Sequence, residues 1–211
     1  RAAMDRMCAD YAEAAKNAVR VGFDMIMLHL GHGTFPAQFL SPLSNQRTDE
    51  FGGSRENRAR FPMMLIKAVR DAIGPRVPIE VRVSGDELTE GGGTIDDCID
   101  FLRRVEDDID IAHVSCGTVM DDVTQTRMHP VEFYEPGCNA IFARQVKESG
   151  FSKPVLTIGA FQRPELIEET IATGGADLVA MARGTIVDAD CVNKAADELL
   201  TLSGIHASVV L

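Results

Sequence analysis

The chain has 211 residues, 45% of them hydrophobic and 25% charged, and its 32 acidic against 21 basic side chains leave a formal charge of −11. That length supports one sizeable core in a single domain. The acidic balance excludes the basic face of a nucleic-acid binder, and no apolar run approaches the ~20 residues that cross a bilayer.

The segment from Arg1 to Asp10 is amphipathic and mixed in charge, unlike a signal or transit peptide. A first helix is predicted over residues 3–21, with Gly22 just past its end. A strand follows over 23–29, alternation placing Phe23, Met25, Met27 and His29 on one face. It ends in His29-Leu30-Gly31-His32-Gly33, and a long polar loop runs on through Gln38-Phe39-Leu40-Ser41-Pro42 and Arg47-Thr48-Asp49 to Ser54. Loops of that length inside a compact domain are usually functional.

Ser54 is the expected N-cap of a helix over 54–73, which Gly74 closes. The remaining elements are a strand over 78–84, a helix over 94–105, a strand over 109–115, a helix over 137–148 ending before Gly150, a strand over 154–158, a helix over 163–172, a strand over 177–181 and a helix over 188–202. Thr94 caps its helix, with Asp96 and Asp97 in the first turn where the helix dipole favours them. This alternation points to a parallel sheet covered by helices. With no repeat or linker, residues 1–211 read as one domain. The chain opens on a helix and holds five strands, whereas a closed barrel of this class needs eight strand–helix units. It is therefore either a small open sheet or the C-terminal part of a barrel.

The five cysteines, Cys8, Cys98, Cys116, Cys138 and Cys191, are scattered and never form a CxxC pair. They read as reduced thiols of a cytoplasmic protein rather than a disulfide frame or a zinc site.

Three groups of residues carry the chemistry. His29 and His32 sit just past the carboxyl end of a strand, where α/β proteins place their sites. Two imidazoles there can polarise a carbonyl oxygen. A metal pair is the alternative, but HxxH with no third ligand nearby is weak evidence. Arg82 shares a strand face with Glu80 and Ser84, opposite Ile79, Val81 and Val83. Its guanidinium needs an anionic partner in the interior, either Glu80 or a bound cofactor with an electron-rich edge. The last two strands end in Gly159-Ala160 and Ala182-Arg183-Gly184, which are either tight turns or a phosphate site built from amides and one arginine fork.

These segments resemble the Old Yellow Enzyme family of FMN-dependent ene-reductases, in particular its 2-enoate and 2,4-dienoyl-CoA reductase branch. The match runs from Ala14-Ala15-Lys16 and Gly22-Phe23-Asp24 through the His29–Gly33 and Gln38–Pro42 segments, Asn45-Gln46-Arg47-Thr48-Asp49, Gly52-Gly53-Ser54 and Glu56-Asn57-Arg58 to Arg60-Phe61. It extends to Val81-Arg82-Val83-Ser84 and to the stretch from Gly175 to Arg183, and is weaker between Gly117 and Cys138.

The resemblance implies a (β/α)8 TIM barrel holding FMN, of which this chain supplies strands four to eight. It implies that Arg82 lies against the flavin N1–C2=O edge. Gly159, Ala160, Ala182 and Arg183 become phosphate-binding positions, and His29 and His32 the clamp on the carbonyl of an α,β-unsaturated substrate. NADH or NADPH is then the reductant, hydride passes to the substrate β-carbon, and no metal is expected at the histidines. Many relatives carry a tyrosine proton donor directly after the glycine that matches Gly33; this chain has Thr34, whose hydroxyl is too weakly acidic. Tyr134 lies in a substrate-side loop without a tie to that role. The tail over 202–211 lacks the cysteine cluster of the larger members, so an iron–sulfur cluster or FAD belongs only to segments absent from this chain. A truncated chain is expected, one that self-associates as a homo-oligomer or joins its missing N-terminal barrel half. The amine-dehydrogenase branch of the same barrel, or a non-catalytic fragment, is the alternative.

Overall fold

The computed structural model describes residues 1–203, and side chains through residue 197. In chain order the elements are α1 (Ala2–Arg20), β1 (Ile26–His29), α2 (Phe35–Leu40), α3 (Arg55–Ile73), β2 (Ile79–Ser84), α4 (Ile95–Val105), β3 (Ile111–Ser115), α5 (Asp122–Met128), α6 (Ala140–Glu148), β4 (Val155–Ile158), α7 (Pro164–Ala172), β5 (Leu178–Ala180), α8 (Arg183–Val187) and α9 (Cys191–Ser203). Every expected strand and helix is present. The short helices α2, α5 and α8 fall where loops or turns were expected, because one or two turns leave too few apolar positions to show a period. The tail beyond Ser203 lies outside the described residues.

The five strands form one parallel sheet in the order β1-β2-β3-β4-β5. Pairing of β1 begins only at Ile26, whose amide donates to the Pro78 carbonyl at 3.0 Å. Residues 23–25 therefore stay outside the sheet, a correction to the expected strand. Leu28, Val81, Ala112 and Val155 lie side by side in register on one face. They are buried with Phe61, Leu65 and Ile66 of α3, Leu102 and Val105 of α4 and Val146 of α6. Each of these side chains except Ala112 contributes roughly 1.5–3 kcal/mol by burial. The opposite face carries Met27, His29, Glu80, Arg82, Ser84, His113 and Ser115. Polar groups on that face stand at the carboxyl ends of three neighbouring strands.

Two local features hold the β1 end in place. Gly31 lies against the backbone of β2: a Cβ there would stand 2.8 Å from the Ser84 nitrogen and 2.9 Å from the Val83 carbonyl carbon. The long loop after α2 is clasped to the helices. Arg58 donates from Nε to the Leu40 carbonyl at 2.8 Å, from Nη1 to Gly53 at 2.6 Å and from Nη2 to Asp97 at 2.6 Å. Asn45 Nδ2 donates to the carbonyls of Phe39 and Phe51, and the buried Glu87 carboxylate accepts from Ser41 Oγ and the Gly93 amide, both at 2.6 Å. Asp97 also accepts from the Thr94 amide and hydroxyl that begin α4. Much of the loop's polarity is thus structural. Among the described residues no helix is long and apolar enough to cross a membrane.

Candidate functional site

His29 ends β1, and the chain turns at Gly31 to bring His32 back beneath it. His29 Nε2 lies 2.8 Å from His32 Nδ1, and His32 Nε2 lies 2.9 Å from Ser115 Oγ at the end of β3. The His32 amide donates to Ser84 Oγ at 2.9 Å, and the Ser84 hydroxyl donates to the Gly117 carbonyl at 2.9 Å. These contacts hold His32 at φ 61°, a left-handed conformation that side chains other than glycine rarely adopt. Backbone strain of this kind clusters at functional sites.

Burial, with Arg82 second, pushes the His32 pKa down to about 3; burial, Arg82 and His113 lower that of His29. Both rings are therefore neutral near pH 7, each with one N–H and one lone pair. The chain of bonds can then run in only two directions. With the Ser115 hydroxyl donating to His32 Nε2, His32 Nδ1–H donates to His29 Nε2, and His29 Nδ1–H is left as a donor. The reverse order leaves His29 Nδ1 as an acceptor. Sequence reasoning placed both imidazoles on one ligand; here both nitrogens of His32 have protein partners and His29 Nδ1 has none among the described residues. Ser115 and Ser84 were missed. The period-two alternation sets Ser115 on the face of His113, a signal left unused, and sets Ser84 on that of Arg82 without giving it a role.

Arg82 stands between His29 and His113 in the register of the sheet. Its expected protein partner, Glu80, is engaged elsewhere: Glu80 Oε1 lies 2.6 Å from His113 Nδ1, with both side chains buried. Arg82 Nε is buried without a hydrogen-bond partner, as is His113 Nε2. Burial lowers the Arg82 pKa, the Glu80 charge opposing it, and an arginine remains a cation at neutral pH. A buried, orphaned donor on a part-buried cation is costly unless an acceptor meets it. The residues present thus fit the electron-rich edge of a flavin.

Ile158 pairs with Ala180, so the Gly159-Ala160 and Ala182-Arg183 turns leave the sheet side by side. Gly159 and Ala160 have φ of 152° and 55°, and none of the four residues donates its amide to the carbonyl of a described residue. Arg183 directs Nη2 to the Pro130 carbonyl at 2.6 Å, which ties the α5–α6 connection to this corner. Thr34 Oγ lies 3.0 Å from the carbonyls of both His29 and Gly31, so its hydroxyl serves the turn. Tyr134 meets Thr126 Oγ at 2.6 Å, and the Arg127 guanidinium lies over its ring. No group of three or more His, Cys, Asp or Glu side chains suited to a metal occurs among the described residues.

The sequence pattern of the NADH:flavin oxidoreductase / NADH oxidase family matches residues 3–201. The chain belongs to this family. A family relative, the NADH oxidase of Thermoanaerobacter brockii, is 36% identical over 193 residues, which are 91% of this chain and 29% of that protein. The structure of 2-naphthoyl-CoA reductase with 2-naphthoyl-CoA superposes with a TM-score of 0.86 at 26% identity, covering 92% of this chain and 29% of the other. Histamine dehydrogenase from Rhizobium sp. 4-9 gives a TM-score of 0.82 at 30% identity, covering 94% and 28%. The chain therefore spans less than a third of these relatives. Its open five-stranded sheet is part of the TIM barrel of the Old Yellow Enzyme family, whose members use flavin and NAD(P)H.

Proposed function

We propose that this chain provides the substrate clamp and the flavin-edge contact of an FMN-dependent NAD(P)H oxidoreductase that reduces α,β-unsaturated carbonyl compounds. The observation that carries the reading is the buried Arg82 Nε without a partner, beside an imidazole chain that ends in one free ring nitrogen. When bound, the flavin supplies two-electron hydride chemistry between a nicotinamide and the carbon–carbon double bond.

The rest falls to the protein. Arg82 holds a positive charge against the flavin edge on which negative charge develops. His29, with Nδ1–H outward, donates to the substrate carbonyl oxygen and stabilises the enolate-like charge there. His32 stays neutral and fixes the tautomer of His29, while the buried Ser115 hydroxyl fixes that of His32. The Gly159, Ala160, Ala182 and Arg183 turns offer amides and an arginine to the FMN phosphate. The proton for the α-carbon comes from a source other than Thr34, whose hydroxyl is committed to backbone carbonyls.

The test uses the full-length polypeptide that carries this segment. It should bind FMN, bleach under NADH or NADPH, and regain colour when an enone or enoyl thioester is added. A protein that stays colourless after FMN reconstitution refutes the proposal. The likeness to histamine dehydrogenase favours a second reading, amine oxidation on the same barrel. Bleaching by an amine without nicotinamide, and no turnover of enones, would select it.

A further inference from the structure

Glu80 and Arg82 are two residues apart on one strand face, within reach of each other for side chains of that length. They do not pair here. Glu80 Oε1 turns instead to Nδ1 of His113, the residue directly across the sheet from Arg82, at 2.6 Å. Both members of this couple are buried, Glu80 6% and His113 4% exposed. Arg82 Nε is left without a partner among the described residues, and so is His113 Nε2. Folding has thus placed a carboxylate beside a part-buried cation and then diverted it.

We propose that His113 is a positioning residue that holds the Glu80 carboxylate away from Arg82, so that the arginine keeps its charge for the bound flavin and raises the flavin's reduction potential. This inference rests on the flavin reading of Arg82 given above. Without the His113 bond, Glu80 turns to its neighbour on the strand, because a buried carboxylate seeks the nearest donor. The resulting Glu80–Arg82 pair cancels much of the field at the flavin edge. Moving one charge from about 10 Å to about 5.5 Å from the flavin edge, at an effective dielectric constant of about 20, shifts a two-electron equilibrium by roughly tenfold.

The two ring nitrogens of His113 can be mimicked separately. The amide nitrogen of asparagine falls near Nδ1 and keeps the bond to Glu80; that of glutamine falls near Nε2 and loses it. Both variants are polar and close in size to histidine. In the full-length holoprotein, H113N should keep the flavin midpoint potential of the wild type. H113Q should shift the reduced-to-oxidised ratio about tenfold toward the oxidised form, about 30 mV for a two-electron couple. The double variant H113Q/E80Q, which has no carboxylate to swing, should regain at least the wild-type potential. A general packing role would instead weaken flavin binding in both single variants alike and leave the double variant unrescued. Equal potentials in H113N and H113Q, or a double variant as low as H113Q, overturn the inference while the flavin reading stands. A wild-type protein that takes up no flavin overturns both.

Discussion

His32 combines a left-handed backbone with a buried, neutral ring, and its partners hold both in place. Three bonds fix it, from the amide to Ser84 and from the ring to His29 and Ser115. The ring's pKa of about 3 lies below the ordinary histidine value of 6.5. The unfolded chain therefore binds a proton that the folded protein refuses, and stability is lost as pH falls from 6.5 toward 3. Between pH 7.5 and 5, His32 accounts for a loss of about 2 kcal/mol, with the lowered pKa values of His29 and His113 acting in the same direction. Urea unfolding at the two pH values checks this. His32→Phe should flatten the pH dependence by about that amount, and an unchanged slope would contradict it.

At the scale of elements, the loop between α2 and α3 is held by the side chain of Arg58, which reaches two carbonyls and Asp97 on α4. Arg58→Met keeps the aliphatic stem but leaves the Leu40 and Gly53 carbonyls and the Asp97 charge short of donors. The expected cost is about 3 kcal/mol. Amide exchange over residues 41–53 should accelerate while that of β2 and β3 stays slow. Uniform exchange changes throughout the chain would show that the clasp is not local.

For the whole molecule, the decisive feature is a parallel sheet with two open edges among the described residues. Phe23, Met25 and Met27 are 62%, 40% and 49% exposed along the β1 side, beside an edge strand with unpaired backbone groups. Exposed edges and apolar patches drive association, and a charge of −11 opposes it only through weak, salt-screened repulsion. The 211-residue chain produced by itself should self-associate in light scattering, more strongly as salt is added. Met25→Lys with Met27→Glu should reduce the effect. A monodisperse monomer at all salt concentrations would refute it.

The sequence by itself determined the parallel α/β sheet, its five strands and six longer helices, because period-two and period-3.6 patterns, N-caps such as Ser54 and terminal glycines such as Gly74 are local signals. It also picked out His29, His32 and Arg82, since charged or imidazole groups at the ends of buried strands stand out against Val and Ile. Tertiary structure alone decided what those groups touch. Ser115 lies 83 positions from His32 and His113 lies 33 from Glu80, and only strand register brings each pair within hydrogen-bond reach. Register also sent Glu80 to His113 rather than to Arg82, because the sheet places the imidazole diagonally across from the carboxylate. Partner choice between groups distant in sequence depends on which strands are neighbours and in what alignment, and no local pattern encodes that.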